Sequence, residues 1–303
     1  MIRNGLCGIG LSIGLGMVAA APAAQSLSIG GSQYVRASCT GVIEHSETRH
    51  EAHCAVENVL VDAEGTLIPG YSSAFANLRR GLLRAAASGA SVDSVDYNGH
   101  EAAALFKDTL RISGQWSGRV PVTVSMWIRY QFDGIGDAQL RAQLSATETP
   151  RPTIRNRARI ELRHRGTNRV QLTNAYSQGN FAAPENGRYT PRSVLILQVT
   201  QMVDASHPQI DIRSHLQTFA LPNPRPMRPI VSALIRAEGR LEITAPSMLH
   251  IESESGILYR RAAMAHAITT NARRAHREAL MAVSNSFALN STLMPAVTST
   301  LSR

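Results

Sequence analysis

Apolar and polar residues alternate along most of the chain after residue 100. In the segment VPVTVSMWIRYQF (120–132) every second residue is apolar, whereas most of the residues between them are polar. Successive side chains of a β-strand point to opposite faces, so this pattern predicts a strand with one buried face. Segment 101–113 repeats the pattern, although Asp108 falls in its apolar row. Similar segments continue to about residue 253, separated by clusters of Gly, Pro and Asn. We therefore expect a mostly β protein, an antiparallel β-sandwich of jelly-roll-like or immunoglobulin-like type.

Two segments depart from this alternation. Residues 72–89 contain leucines at helical spacing but are interrupted by Gly81, so a helix and a strand both remain open. From residue 260 to about 286 the chain is rich in alanine, with apolar residues spaced for one face of a helix. We expect a C-terminal α-helix there, followed by a flexible tail.

The N-terminal residues have the layout of a secretory signal. Arg3 precedes an apolar run from Leu6 to Ala21, and Ala21-Pro22-Ala23 has the small-x-small pattern of a cleavage site. The run is short for a membrane span, and no later apolar stretch is long enough for one. We therefore expect three regions: a signal peptide (1–23), a β-sandwich domain (24–259) and a helical C-terminal segment with its tail (260–303). The mature protein would be exported to the periplasm or the cell exterior without a membrane span.

The cysteines support this expectation of export. Cys7 would leave with the signal peptide, so that Cys39 and Cys54 form the remaining pair. In an oxidising compartment such a pair is expected to form a disulfide. Closing this loop would stabilise the fold by about 3 kcal/mol.

The basic residues are unevenly distributed. The formal net charge is +9, and Lys107 is the single lysine, a bias that a GC-rich genome can produce without any functional cause. In TIRNRARIELRHR, however, arginines occupy alternate positions and Glu161 alone breaks the row. The arginines of this row are Arg155, Arg157, Arg159, Arg163 and Arg165.

On a strand, these arginines would form a stripe with a repeat of roughly 6.6–6.8 Å per two residues. Guanidinium groups bind carboxylate, sulfate and phosphate through paired hydrogen bonds, so the stripe predicts binding of an acidic polysaccharide or lipopolysaccharide. Nucleic acid is also an anionic polymer, but aromatic residues for base stacking are scarce nearby, which argues against single-stranded nucleic acid, and we expect nucleic acid to be an unlikely partner. The alternative is a solvated face whose arginines pair with acids on a neighbouring strand, such as Asp93 and Asp96.

Three segments resemble a group of bacterial exported β-sandwich proteins, many of which carry a PEP-CTERM sorting tail. Residues 105–134 resemble the F-x-D-T-L segment of this group and the strand that follows it. Residues 220–239 resemble a strand pair of the group, and residues 245–259 resemble its closing S-x-S-G strand. The resemblance implies a β-sandwich and export, and it implies no catalytic residues. The chain has no PEP tripeptide followed by an apolar segment after Glu252, so the anchoring route of the group is not carried over.

The segment EHSETRHEAHC (44–54) is the main alternative site. Its histidines, His45, His50 and His53, could bind a metal, and HEAH misses the H-E-x-x-H zinc motif by one position. On a helix, His50 and His53 would share a face, but on a strand they point to opposite sides. We expect a polar hairpin held by the disulfide, without a metal or cofactor. A metal-binding protein or metal-dependent hydrolase is the runner-up.

The remaining motifs add little chemistry. Asp204, His207, Asp211 and His215 could form a ligand cluster, but Pro208 and the mixed alternation favour a loop followed by a strand. No G-x-S-x-G or P-loop pattern occurs in the sequence. We therefore expect a non-catalytic protein with a binding or structural role at the cell envelope or in the extracellular matrix. A self-assembling surface or matrix subunit is a further alternative.

Overall fold

The computed structural model describes residues 33–46, 50–61, 65–92, 96–149, 155–166, 169–177, 181–182, 189–222, 230–255 and 261–262. The predicted signal peptide (1–23) and residues 263–303 of the predicted C-terminal segment lie outside these ranges. In chain order the strands are β1 (Tyr34–Cys39), β2 (Val42–Ser46), β3 (Glu51–Val61), β4 (Leu67–Asn77), β5 (Leu82–Val92), β6 (Asp96–Asn98), β7 (His100–Gly114), β8 (Val120–Gly134), β9 (Asp137–Thr149), β10 (Arg155–Arg165), β11 (Val170–Ser177), β12 (Phe181–Ala182), β13 (Arg192–Val203), β14 (Gln209–Leu221), β15 (Ile230–Thr244), β16 (Leu249–Ser253) and β17 (Arg261–Ala262).

The described strands form two sheets that pack against each other. The eight-stranded sheet has the order β11-β10-β9-β14-β7-β1-β2, and β16 also pairs with β7. The nine-stranded sheet has the order β12-β13-β8-β15-β5-β4-β3, and β6 and β17 pair with β5 and β15. Among the strands that the structure describes, every pairing is antiparallel except that of β17 with β15. The predicted mostly β, antiparallel architecture is therefore confirmed.

One apolar core fills the space between the inner faces of the sheets. The alternating apolar row of β8 is buried throughout, as the sequence pattern predicts. The corresponding row of β7 is buried too, including its polar member Asp108. The chain crosses between the sheets at each step from β7 to β8 and from β8 to β9. Across the core, β7 packs against β4 and β5 of the other sheet.

Residues 72–89, for which the sequence leaves a helix or a strand open, form parts of β4 and β5. A one-turn 3₁₀ helix, Leu78–Arg80, joins the two strands. The side chain of Asn77 accepts a 3.0 Å hydrogen bond from the backbone N–H of Arg80. Gly81 ends the turn at φ 56°, a left-handed conformation that disfavours other residues. Strand pairing therefore overrides the helical spacing of the leucines.

The predicted start of the C-terminal helix is wrong. Arg261 and Ala262 form β17, which pairs with Ile243 and Thr244 at the end of β15. β5 and β17 pair with the same side of β15. β5 pairs only as far as Arg240, so β17 pairs with backbone groups beyond that point that β5 does not reach. The rest of the predicted helix lies outside the described residues.

The disulfide between Cys39 and Cys54 is confirmed, and their Cα atoms are 6.0 Å apart. Cys39 lies in β1 of the eight-stranded sheet and Cys54 in β3 of the nine-stranded sheet, so the bond joins the two sheets. The predicted hairpin around it is wrong, because β2 and β3 are edge strands of different sheets. Among the described residues, no helix is long and apolar enough to cross a membrane.

Candidate polyanion-binding face

The predicted arginine row lies on β10, between β9 and β11 of the eight-stranded sheet. Ala158, Ile160 and Leu162 point into the core, so the intervening positions face outward. Arg157, Arg159 and Arg163 are half-buried there, and Arg165 is exposed at the strand end. Arg155 begins the strand, and its side chain lies outside the described structure.

Acids and amides of the same sheet contact part of this row. Arg163 lies 2.6 Å from Asp137, its neighbour on β9. Arg159 lies 3.3 Å from Glu161, and Arg157 donates a 2.6 Å hydrogen bond to the amide oxygen of Gln143. The suggested partners Asp93 and Asp96 are wrong where the structure tests them, because Asp96 belongs to β6 of the other sheet. The row is thus partly neutralised by Asp137 and Glu161, neither of which was suggested as a partner from the sequence.

The register of the sheet adds arginines from other strands. His215 on β14 lies opposite Leu105 and Gln143, and these residues lie opposite Arg36 on β1 and Arg159 on β10. A line across the sheet therefore runs from Arg36 through His215 to Arg159. Neighbouring strands are about 4.8 Å apart, so the four steps of this line span roughly 19 Å.

The pKa of His215 reflects the positive charge of this surface. Burial, and to a smaller extent the nearby guanidinium groups, lower the pKa of His215 to about 4. Four arginines from four strands contribute to this shift: Arg213 on β14, Arg36 on β1, Arg159 on β10 and Arg141 on β9. The imidazole is therefore neutral at pH 7, and the positive potential around it comes from the arginines.

Cations outnumber acids on this surface, which we call the arginine face: the outer side of β1, β7, β14, β9 and β10. Its outward positions hold nine arginine and lysine side chains within the described structure and four carboxylates. The cations are Arg36, Lys107, Arg111, Arg141, Arg157, Arg159, Arg163, Arg165 and Arg213. The carboxylates are Glu101, Asp137, Glu161 and Asp211.

The cations differ in how fully acids neutralise them. Lys107 lies 3.2 Å from Asp211, and Arg141 lies 3.4 Å from Glu161. Within the described part of the chain, Arg36 and Arg213 form no ion pair with a carboxylate. These two arginines are the groups best placed to accept an external anion.

The alternative histidine site is spread over two edge strands. The ring of His45 contacts that of Tyr34 on β1 at a tilt of 41°, with ring centroids 5.4 Å apart. His53 on β3 is exposed, and its Nδ1 lies 3.6 Å from Glu44. His50 precedes β3, and its backbone carbonyl accepts a hydrogen bond from Leu78. In the described ranges these three histidines do not meet as a group of metal ligands.

The segment DASHPQIDIRSH forms a turn followed by a strand, as predicted. Asp211 and His215 lie on the outer side of β14, whereas Asp204 and His207 belong to the turn before it. The four residues therefore form no single site.

No family model matches the chain, and no curated protein does either. Function therefore has to be argued from the geometry. Sequence reasoning found the β10 row but missed Arg36, Arg141 and Arg213. Arg36 and Arg213 lie far from β10 in sequence and Arg141 lies on the preceding strand β9, and strand pairing brings all three onto the same face. The signal that could have found them is the outward position that each occupies in its own alternating strand.

Proposed function

We propose that this protein is an exported, non-catalytic binding or structural protein of the cell envelope or extracellular matrix. Its arginine face would bind an anionic polymer, namely an acidic polysaccharide or a lipopolysaccharide. The observation that carries this proposal is the set of four arginines, from four different strands, that lower the pKa of His215.

The spacing of the face suits a polymer better than a single small anion. Along a strand, outward side chains repeat every 6.6–6.8 Å or so, and across the sheet neighbouring rows are about 4.8 Å apart. A repeating array of guanidinium groups can engage several carboxylates or sulfates of one chain, each through paired hydrogen bonds. Binding through many weak contacts of this kind depends strongly on salt.

The aromatic residues of the face argue against single-stranded nucleic acid. Arg141 covers the ring of Phe219 at 4.7 Å, and Tyr34 is buried at the edge of the face. Bases of single-stranded nucleic acid bind to open aromatic faces, which these two rings do not offer. A sugar polymer, by contrast, can be held through its charged groups alone.

The disulfide supports the proposed location. Disulfides persist in oxidising compartments, which agrees with the signal-like residues 1–23. The resemblance to exported bacterial β-sandwich proteins points the same way.

Three substitutions test the proposal directly: Arg36→Gln, Arg159→Gln and Arg213→Gln, combined in one protein. Each removes one of the charges around His215 without placing an acid on the face. We expect the triple variant to elute from an alginate or lipopolysaccharide matrix at a lower salt concentration, with at least tenfold weaker affinity at low salt. Unchanged retention would contradict the proposal.

The matched control removes three arginines outside the arginine face. Arg79 and Arg80 are exposed in the 3₁₀ turn, and Arg240 lies on the nine-stranded sheet. Replacing all three with Gln changes the net charge by the same amount. If this control loses affinity as strongly as the test variant, then overall charge explains retention and the arginine face does not.

A second candidate function, self-assembly, is favoured by the edge strand β3. Val59, Leu60 and Val61 at the end of β3 are between 43% and 62% exposed, and Leu67 across the hairpin is 67% exposed. An apolar edge strand has unpaired backbone groups that can add a strand from another chain. A second copy of this protein would then extend the nine-stranded sheet.

A further inference from the structure

The turn between β13 and β14 carries the chain from the nine-stranded to the eight-stranded sheet. Asp204 organises this turn, because its Oδ1 accepts hydrogen bonds from the backbone N–H groups of Ser206 (2.9 Å) and His207 (3.0 Å). The Nδ1 of His207 lies 3.3 Å from the same oxygen and 2.9 Å from the hydroxyl of Ser206, a contact that a metal ligand at this nitrogen would replace. The turn thus presents a carboxylate and an imidazole side by side, at one end of the space between the sheets.

A third group reaches this turn from the core. Glu148 is the inward-facing residue near the end of β9, and its side chain is 4% exposed. Its Oε2 lies 3.3 Å from the guanidinium group of Arg119. Within the described structure its Oε1 accepts no hydrogen bond, and the Nδ1 of His207 lies 3.8 Å away, beyond hydrogen-bonding distance. Burying a carboxylate oxygen without a partner destabilises the folded state, and a bound cation would remove this cost.

The three side chains have the spacing of a metal site. Their ligand atoms all lie within 4.8 Å of one another. Tetrahedral ligands at the usual Zn–N and Zn–O distances are about 3.3 Å apart, close to the 3.3 and 3.8 Å separations from His207 Nδ1. We propose that Glu148, Asp204 and His207 bind a divalent transition metal, through one oxygen of each carboxylate and the imidazole nitrogen.

One nitrogen and two carboxylate oxygens suit Zn²⁺, Mn²⁺ and Co²⁺ better than the sulfur-preferring Cu⁺. The backbone N–H groups on Asp204 hold its carboxylate in place, as outer-shell hydrogen bonds do for metal ligands. Bound metal would tie β9 to the turn between β13 and β14, and so would fasten the two sheets at this end. The site would thus stabilise the fold and is independent of the arginine face.

The alternative is that the His207 side chain contacts the two carboxylates directly, without a metal. The two explanations differ in the response to added metal. Zn²⁺ titrated calorimetrically into full-length protein, stripped with a chelator, tests this directly. We expect one equivalent to bind and to raise the melting temperature. Absence of binding, with no change in melting temperature, would overturn the proposal.

Substitutions locate the bound ion. Glu148→Gln and His207→Gln preserve side-chain size and should each weaken Zn²⁺ affinity at least tenfold. Each should also change the visible absorption spectrum of bound Co²⁺, a readout of coordination that does not depend on stability. Retention of wild-type affinity and spectrum in both variants would place the ion elsewhere and contradict the site.

Two controls address other histidines. His250 lies 3.0 Å from Glu252 on the exposed strand β16, so His250→Gln removes a histidine–carboxylate pair outside the proposed site. The double variant His50→Gln/His53→Gln removes two histidines of the alternative segment. Both controls should bind Zn²⁺ like the wild type. Loss of binding in the double variant alone would assign the metal to the edge strands and overturn the inference.

Discussion

The side chain of Ser253 donates a 2.6 Å hydrogen bond to Asp108, a carboxylate that is fully buried between the sheets. Ser255 donates a second bond of 2.8 Å to the same oxygen, and the N–H of Thr109 donates to the other oxygen. Asp108 lies on β7 at the point where the pairing of β1 ends and that of β16 begins. The carboxylate therefore fastens β16 to β7. It also joins the segment around Asp108 to the segment that holds Ser253 and Ser255, far apart in the sequence.

We predict that Asp108→Ala lowers the free energy of unfolding by about 3 kcal/mol or more. The substitution removes charge-assisted hydrogen bonds and leaves buried hydroxyl groups with a lost acceptor. Urea denaturation followed by circular dichroism measures the change. Asp211→Ala is the control, because that carboxylate forms a partly exposed pair with Lys107 and its loss should cost about 1 kcal/mol or less. Equal losses in the two variants would contradict the structural role of Asp108.

Removing the disulfide should also destabilise the protein. The double variant Cys39→Ala/Cys54→Ala should lose about 3 kcal/mol, because the unfolded chain regains the freedom of the closed loop. Intact mass under non-reducing conditions should show the wild type two hydrogens lighter than its reduced form. Reductant should lower the stability of the wild type and leave that of the double variant unchanged. A reductant effect of similar size in both proteins would argue against this bond as its cause.

Stability should fall in acid because of His215. Its folded-state pKa of about 4 lies below the value of about 6.5 expected in the unfolded chain, so the unfolded state takes up the proton first as the pH falls. Its contribution is complete above about pH 6.5 and is lost progressively down to pH 4, amounting to at most about 3 kcal/mol. Urea denaturation of His215→Gln between pH 7 and pH 4 should show a shallower loss than the wild type. His53→Gln, at an exposed site, should follow the wild type.

Binding of a polyanion should raise the pKa of His215. Anions on the arginine face offset the four guanidinium charges that hold this pKa down, so the imidazolium form becomes more favourable. Titration of the imidazole signals by NMR, with and without alginate, measures the shift. The Arg36→Gln/Arg159→Gln/Arg213→Gln variant should start from a higher pKa and respond less. An identical pKa with and without saturating alginate would place binding elsewhere.

Self-association through β3 should depend on its exposed apolar residues. Leu60→Lys places a charge on the edge strand and should abolish concentration-dependent oligomers in sedimentation velocity experiments. Met248 is also an exposed apolar residue but lies next to β16 in the other sheet, so Met248→Lys serves as the control. A wild type that stays monomeric across the accessible concentration range would remove self-assembly as a function. Dissociation in both variants would show that general charge repulsion, and not the β3 edge, is responsible.

The sequence predicted those features correctly that depend on a few neighbouring residues. Period-two alternation placed the inner rows of β7, β8 and β10 correctly, because the pleat of a strand is a property of its own backbone. The disulfide followed from the number of cysteines left after the predicted signal peptide and from the oxidising compartment expected for an exported protein. The same reasoning misjudged residues 44–54, whose two strands join different sheets, and the chain at Arg261, which completes an edge of β15.

What the sequence by itself determined is therefore the main strands after residue 100, their buried faces and the arginine row of β10. The tertiary structure decided which strands are neighbours. It set Arg36, Arg141 and Arg213 around His215, and it brought Glu148 to the turn that carries Asp204 and His207. The physical reason is that alternation depends on a few consecutive residues, whereas register depends on contacts between different strands, which can lie far apart in the sequence. Both candidate sites arise from such distant contacts.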